Sequence, residues 1–169
     1  MLSFAGQVIA ELALEPTLNV AVERIATLLG VERIAVYLND DGRLQTAVAR
    51  GLDGRHELLA VRLLELAQAT GPAPSGVIVV DALADERLES LRDVLIETRV
   101  EAVTAFPLEA GGETIGLIAL YLPPDRITGE SEQILLEALS SQLAVAVHHA
   151  RLHEHATRLG TELEHSLRA

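Results

Sequence analysis

The stretch that decides the fold is TAFPLEAGGETIGLIALYL, residues Thr104–Leu122, in which two apolar runs flank a glycine pair. The connection Glu109–Glu113 contains Gly111 and Gly112, and glycine tolerates the positive φ values that tight hairpins require. The second run, Thr114–Leu122, is apolar at odd and even positions alike. A strand with one face in water would alternate, so we predict a hairpin whose second strand is covered on both faces.

The composition indicates a single domain. The chain has 169 residues, enough for one domain with a helical extension. Hydrophobic residues make up 49% and aromatic residues 2%, so Leu, Val, Ile and Ala must build the core. So few aromatic rings argue against a stacking surface for single-stranded nucleic acid. The net charge is −12 and the arginines are scattered, so we expect no nucleic-acid partner.

Three absences from the sequence exclude further classes of protein. There is no cysteine, which excludes disulfides, thiolate metal sites and thiol catalysis. No apolar run approaches the roughly 18 residues of a membrane span, and no apolar leader with a cleavage site opens the chain. We therefore expect a soluble, cytoplasmic protein or fragment that has no membrane partner.

Hydrophobic spacing and turn residues predict the order of the remaining elements. Pro16 should end the first helix, because proline disfavours helical backbone in the residue before it. Thr17 is then the predicted N-cap of a second helix. Before the central hairpin, the predicted elements are helices over 1–14 and 18–29, strands over 33–38 and 44–50, a helix over 56–69, a strand over 77–80 and a helix over 88–98.

The last predicted element is a helix from Gly129 to Ala169, with Thr128 as its N-cap. A helix of that length extends roughly 60 Å, which is more than a small domain needs. Its apolar stripe alternates spacings of four and three residues, which is typical of a left-handed coiled coil. We therefore predict a homodimer through the N- and C-terminal helices. The predicted dimer seam consists of Val145, His149, Leu152, Ala156, Leu159 and Leu163.

Several segments, in this order, resemble the GAF domain family. Val100–Leu108 followed by Gly112–Leu117 is similar to that family's apolar-Pro-Leu strand, glycine turn and Ile-Gly-Leu strand. Gln142–Leu152 resembles the closing helix, with His149 in place of an asparagine. Asp81 with the segment 85–88 resembles the acidic loop after the third strand, although Leu88 is not aromatic. The resemblance covers roughly residues 18–152.

The resemblance implies an α+β fold of the GAF/PAS type. Its centre would be an antiparallel sheet of about five to six strands, with helices on both faces and a long C-terminal helix. The corresponding organisation is an N-terminal helix over 1–16, a GAF domain over 17–152 and a coiled-coil-like extension over 153–169. Such a projecting helix favours a fragment of a larger signalling protein.

The resemblance also implies a sensory or regulatory role in signal transduction, including two-component systems. Such a domain binds a small molecule and relays the result through a dimeric exit helix to an attached or partner effector. Effectors of the family include kinases, cyclases, phosphodiesterases and transcription activators. Two alternatives remain: a dimerisation or relay module without a ligand, and a small enzyme on the same scaffold. We predict no enzymatic activity, because Ser140 and Ser141 lie on one helix without a strained nucleophile turn.

The candidate ligand pocket combines aromatic, polar and arginine side chains. An arginine beside an apolar floor would suit a small anionic or planar ligand. The alternative is that the aromatic residues belong to the core and the arginines are solvated. The candidate residues are Tyr37, Asp81, Arg87, Arg92, Arg99, Thr104, Phe106 and Tyr121.

The sequence departs from several ligand-specific branches of the family. Bilin-binding members and the free methionine sulfoxide reductases use cysteine, which is absent. Cyclic-nucleotide-binding members carry an Asn-Lys signature, and this chain has no lysine. Some haem-binding members place a histidine before the central hairpin, and residues 91–106 contain none. The cofactor therefore stays unassigned.

A group of histidines marks the exit helix, at His148, His149, His153 and His155. His149 and His153 are four residues apart and share a helical face, so their imidazoles could coordinate a transition metal. No acidic residue stands in a third-ligand position, so we predict a polar helix surface and no metal. Histidines that face each other across a dimer seam would also respond to pH, because protonating both is unfavourable.

Overall fold

The computed structural model describes residues 2–69, 76–124, 126 and 129–168, and within these ranges the side chains of residues 16–152. Short 3₁₀ turns at Ala82–Ala84 and Glu86–Leu91 lead into the third helix. The helices are α1 (Leu2–Leu29), α2 (His56–Gln68), α3 (Arg92–Thr98) and α4 (Glu130–Arg168). The strands are β1 (Arg33–Asp40), β2 (Arg43–Arg50), β3 (Val77–Val79), β4 (Ala102–Ala110) and β5 (Glu113–Leu122).

The strands form one antiparallel sheet in the order β2-β1-β5-β4-β3. The predicted central hairpin is confirmed: β4 pairs with β5, and Thr104 lies opposite Leu120. Gly111 and Gly112 turn the chain with φ values of 61° and 79°. β5 occupies the middle of the sheet, and every residue from Ile115 to its end is buried.

Helices cover both faces of the sheet, as the fold prediction required. On one face, Leu18, Val22 and Ile25 of α1 pack with residues of α4 against the sheet. On the other face, α2 and α3 pack over the same strands through Leu59 and Leu95. Each large apolar side chain buried in these layers contributes about 1.5–3 kcal/mol relative to exposure. The two-sided burial explains why β5 is apolar at consecutive positions.

Gly116 of β5 lies opposite Leu38 of β1, where the backbones of the two strands leave no room for a side chain. A Cβ atom on this residue would collide with the carbonyl oxygen of Tyr37 and would lie 3.1 Å from a methyl group of Leu38. A glycine is therefore needed here for the close approach of two backbones.

Two predicted details are corrected by the structure. α1 continues through Pro16, where the sequence predicted two helices. A proline inside a helix costs about 3 kcal/mol, and burial of Leu18, Val22 and Ile25 against the sheet offsets this cost. Instead of one helix over 88–98, the chain forms a 3₁₀ segment and then α3. The predicted N-cap Thr128 lies outside the described residues.

The terminal helices run without interruption through the predicted domain boundaries at 16/17 and 152/153. α4 contains 39 residues and α1 packs along its first half. Within the part of the chain that the structure describes, none of the helices combines the length and the apolar character that a membrane span requires.

Candidate functional site

Three side chains on the α2 side of the sheet form a buried hydrogen-bonded chain. The hydroxyl oxygens of Tyr37 on β1 and Tyr121 on β5 are 2.7 Å apart. The Tyr37 hydroxyl also lies 2.8 Å from Nδ1 of His56, the first residue of α2. Both tyrosine side chains are buried, whereas His56 is half-buried. These hydrogen bonds therefore connect the first residue of α2 with the centre of the sheet.

A count of the hydroxyl hydrogens against their acceptors among the described residues favours one direction for these hydrogen bonds. If Nδ1 of His56 accepts from Tyr37, then Tyr37 can accept from Tyr121, and both hydroxyl hydrogens are used. In the reverse direction the Tyr121 hydrogen would have no acceptor, since the described residues offer this hydroxyl only Tyr37. A buried donor without a partner costs about 1–3 kcal/mol. The network therefore assigns His56 as the neutral tautomer that carries its proton on Nε2.

Burial keeps all three groups uncharged at neutral pH. It raises the pKa values of Tyr37 and Tyr121 far above the usual tyrosine value. Burial also lowers the pKa of His56, and the negative charges of Glu57 and Asp53 oppose this shift without reversing it. A neutral chain of this kind can respond to a change in hydrogen bonding or protonation at its His56 end.

One arginine of the predicted pocket, Arg87, holds a loop in place through its side chain. Arg87 forms an ion pair of 2.7 Å with Asp85 and donates to the carbonyl of Ile78, which lies on edge strand β3. This pairing lowers the pKa of Asp85 and raises that of Arg87. Arg99 ends α3 in the left-handed region, with φ 57°, and its carbonyl accepts from Arg33. The Arg87 side chain is therefore a structural part of the loop before α3, whereas at Arg99 the contact is made by the backbone.

The eight predicted pocket residues do not share one surface. Tyr37 and Tyr121 face α2, whereas Phe106 packs on the α1/α4 face, and its ring lies against Gly76. Thr104 is buried on the same side as Phe106, because side chains alternate along β4. Asp81, Arg87, Arg92 and Arg99 are exposed at the loops around α3. Both faces of β4 are buried, so the sequence pattern could not assign its side chains to a face.

The space between the sheet and helices α2 and α3 is occupied by apolar side chains. The large buried residues there include Leu59, Leu63, Leu88, Leu95, Val103 and Leu117. An open groove lies beside this core, between the β1–β2 hairpin and α2, with a volume of about 820 Å³. We call it the hairpin–α2 groove; its lining includes Asn39, Arg43, His56, Leu58, Val61 and Leu64. The sequence analysis selected neither His56 nor Asn39, and no local motif marks either residue.

The described part of the predicted dimer seam is exposed. On α4, Val145 is 52% and Leu152 is 53% exposed, and His149 is also exposed. On the neighbouring α1, Val20 and Leu28 are exposed apolar residues. Together they give the α1/α4 layer an outward-facing apolar surface. The side chains of Ala156, Leu159 and Leu163 lie outside the described residues.

The histidines of α4 show no metal site within the described part of the chain. His148 packs beside the β4–β5 turn, close to Gly111, whereas His149 is exposed on the seam side. Among the described residues there is no group of three His, Cys, Asp or Glu side chains that could hold a metal ion. The side chains of His153 and His155 lie outside the described residues.

Comparison with solved structures shows the same fold in several proteins. A GAF domain/HD domain protein from Geobacter sulfurreducens is 20% identical, with a TM-score of 0.68 over 82% of this chain and 94% of its own. GAF3 of Slr1393 from Synechocystis, in its photoproduct state, is 20% identical, with a TM-score of 0.68 over 82% and 96%. A type II free methionine-R-sulfoxide reductase from Thermoplasma acidophilum is 14% identical, with a TM-score of 0.62 over 83% and 96%.

A search among curated proteins found no match to this chain. The sequence profile of the GAF domain, in contrast, matches residues 13–147, which is most of the chain. The match includes the central hairpin, both helical layers of the described sheet and the His56–Tyr37–Tyr121 chain. The protein therefore belongs to the GAF domain family.

Proposed function

We propose that this chain is a sensory or regulatory domain of a signal-transduction protein and that it acts as a homodimer through α1 and α4. Membership of the GAF family supports the regulatory role, and the observation that supports the homodimer is the exposed apolar surface on the outer side of these two helices. Val145 and Leu152 are seven residues apart, so they repeat on one face of α4 at coiled-coil spacing. A second copy of the chain would cover this surface.

α4 is suited to carry a signal out of the domain. Its first half packs on the sheet, and the same helix continues for a total of 39 residues. A change in how α4 packs on the sheet would alter its position relative to the partner's α4. A ligand can favour one such arrangement only if it binds that arrangement more tightly. The effector would be an attached or partner domain.

The alternative of a relay module without a ligand is favoured by one observation, the apolar filling between the sheet and α2. In that case the dimer would transmit a change that begins in a neighbouring domain. An enzyme on the same scaffold has less support. The reductase with a similar structure shares only 14% identity, and this chain has no cysteine to supply thiol chemistry.

Sedimentation equilibrium of two variants tests the proposed dimer. Val145→Asp combined with Leu152→Asp should convert the dimer to a monomer, because each substitution would bury a charge in an apolar interface. The matched control is Ile96→Asp, since Ile96 is 59% exposed on α3, on the opposite face of the sheet. We expect the control to remain a dimer. A wild-type protein that sediments as a monomer, or a double variant that remains a dimer, would contradict the proposal.

A further inference from the structure

The hairpin–α2 groove has the properties of a small-molecule site outside the packed interior. Its volume of about 820 Å³ lies within the range of ligand pockets. One wall is formed by Leu58, Val61 and Leu64 of α2. Leu58 is 48% exposed and Val61 is 39% exposed, so this wall presents apolar surface that nothing in the described chain covers. An apolar body would bury this wall.

Asn39 provides the first polar feature of the groove. Its side-chain Oδ1 is buried and has no hydrogen-bond partner among the described residues. A buried acceptor without a partner costs about 1–3 kcal/mol. This atom has almost no accessible surface, so the Asn39 side chain must turn towards the groove before a ligand can reach it. A ligand N–H or O–H group that donates to the oxygen would then remove the cost.

His56 provides the second polar feature. Its Nδ1 is engaged by Tyr37, so in the assigned tautomer Nε2 carries a hydrogen. This N–H makes no hydrogen bond to the described residues, and His56 lines the groove. A ligand oxygen that accepts from Nε2 would stabilise this tautomer, in which Tyr121 donates to Tyr37 and Tyr37 donates to His56. Asn39 therefore requires a donor and His56 an acceptor.

The charges around the groove favour an uncharged ligand. Arg43 and Arg55 line it together with Glu57 and Glu65, so the formal charges cancel. Arg55 is already paired with Glu97 at 2.9 Å. A carboxylate ligand would also favour protonated His56, which reverses the hydrogen-bonded chain. A carboxamide carries a donor next to an acceptor and has no charge.

Asn39 also connects the groove to the exit helix. Its backbone carbonyl accepts a hydrogen bond of 2.9 Å from Arg151 of α4. We propose that the groove binds a small uncharged molecule with an apolar body and a carboxamide-like head, and that Arg151 couples its occupancy to α4. This inference rests on the proposed regulatory function and names the site and ligand class through which it would operate.

Hexanamide is the probe for this site, with N,N-dimethylhexanamide and hexanoate as matched controls. Amide and imidazole ¹H–¹⁵N spectra of the full chain would be recorded during titration with each compound. We expect saturable shifts at the Asn39 side chain and the His56 ring with hexanamide. N,N-dimethylhexanamide cannot donate to Asn39 and should bind about tenfold more weakly, as should the charged hexanoate. No saturable shift with hexanamide, or equal affinity for the three compounds, would overturn the proposal.

Three variants separate the groove from the rest of the surface. Leu58→Asp should abolish hexanamide binding, because it places a charge on the apolar wall, whereas Ile96→Asp should leave it unchanged. Arg151→Gln should keep the shifts at the groove but remove those along α4. Equal loss in the two Asp variants would overturn the site, and unchanged α4 shifts in Arg151→Gln would overturn the coupling. Self-association is measured separately by sedimentation, so failure of the groove is distinguishable from failure of the proposed dimer.

Discussion

Replacement of Tyr37 by phenylalanine tests the buried hydrogen-bonded chain most sharply. The substitution removes two hydrogen bonds, of 2.7 Å to Tyr121 and of 2.8 Å to His56. Each bond is worth about 1 kcal/mol, and the stranded Tyr121 hydroxyl adds a penalty because this residue is 1% exposed. We expect Tyr37→Phe to lower the free energy of unfolding by about 2–4 kcal/mol.

Tyr121→Phe removes only the terminal hydroxyl and leaves Tyr37 hydrogen-bonded to His56. Its expected cost is about 1 kcal/mol. In the double variant no tyrosine hydroxyl is left without a partner, and the half-buried His56 can turn to water. The double variant should therefore cost about 2 kcal/mol, which is no more than Tyr37→Phe alone. The two single costs sum to about 3–5 kcal/mol, so they should exceed the cost of the double variant by about 1–3 kcal/mol.

Urea unfolding at about pH 8, where His56 is neutral in both states, measures these differences. All four proteins must be compared at one protein concentration, because dimerisation makes the apparent stability depend on concentration. Either of two results would contradict the hydrogen bonds that join Tyr121, Tyr37 and His56. One is a Tyr37→Phe variant that is destabilised no more than Tyr121→Phe. The other is a double variant whose cost equals the sum of the single costs within about 0.5 kcal/mol.

Three further predictions concern pH, backbone packing and one loop. Burial lowers the pKa of His56 in the folded protein, so as the pH falls the unfolded state takes up the His56 proton first. The free energy of unfolding should therefore fall as the pH drops below about 6.5. In a plot of the urea midpoint against pH, His56→Gln should flatten this part of the profile. Gly116→Ala should lower the free energy of unfolding by about 3 kcal/mol, because its Cβ would meet the backbone of β1. The control Gly129→Ala has open space around it and should cost less than about 1 kcal/mol. Equal midpoints of thermal unfolding for the two variants would contradict the close approach of β1 and β5. Arg87→Ala should raise the pKa of Asp85 towards its ordinary value, and an unchanged carboxyl ¹³C titration would show that the ion pair does not form in solution.

The parts of the fold that depend on local pattern could be predicted from the sequence. The glycine pair and the continuous apolar run identified the β4–β5 hairpin and its central position. Burial on both faces of a strand, however, hides from the sequence pattern which face each side chain occupies. Because both faces of β4 are apolar, the pattern could not show that Phe106 and Tyr121 lie on opposite sides of the sheet.

The sequence analysis selected Tyr37 and Tyr121 but could not show that their hydroxyl groups meet or that His56 joins them, because these contacts connect distant parts of the chain. Tyr37 and His56 are 19 residues apart, and Tyr37 and Tyr121 are 84 apart. His56 follows a glycine-containing loop and has no motif of its own. The continuity of α1 through Pro16 was missed for a related reason, since tertiary burial of its later residues outweighs a local preference.

We propose that two copies pair through the outer surface of α1 and α4 with the α4 helices parallel, since Val145 and Leu152 would then each face their counterparts in the partner. The chain has no cysteine, so Ser131→Cys and Gln142→Cys each give a single site for a spin label on an exposed position of α4. The two sites lie about 16 Å apart along the helix. In a parallel pair, double electron–electron resonance should give similar, short distances between equivalent labels at both positions. A large difference between the two distances would contradict the parallel arrangement, and the absence of dipolar coupling at both positions would contradict the dimer itself.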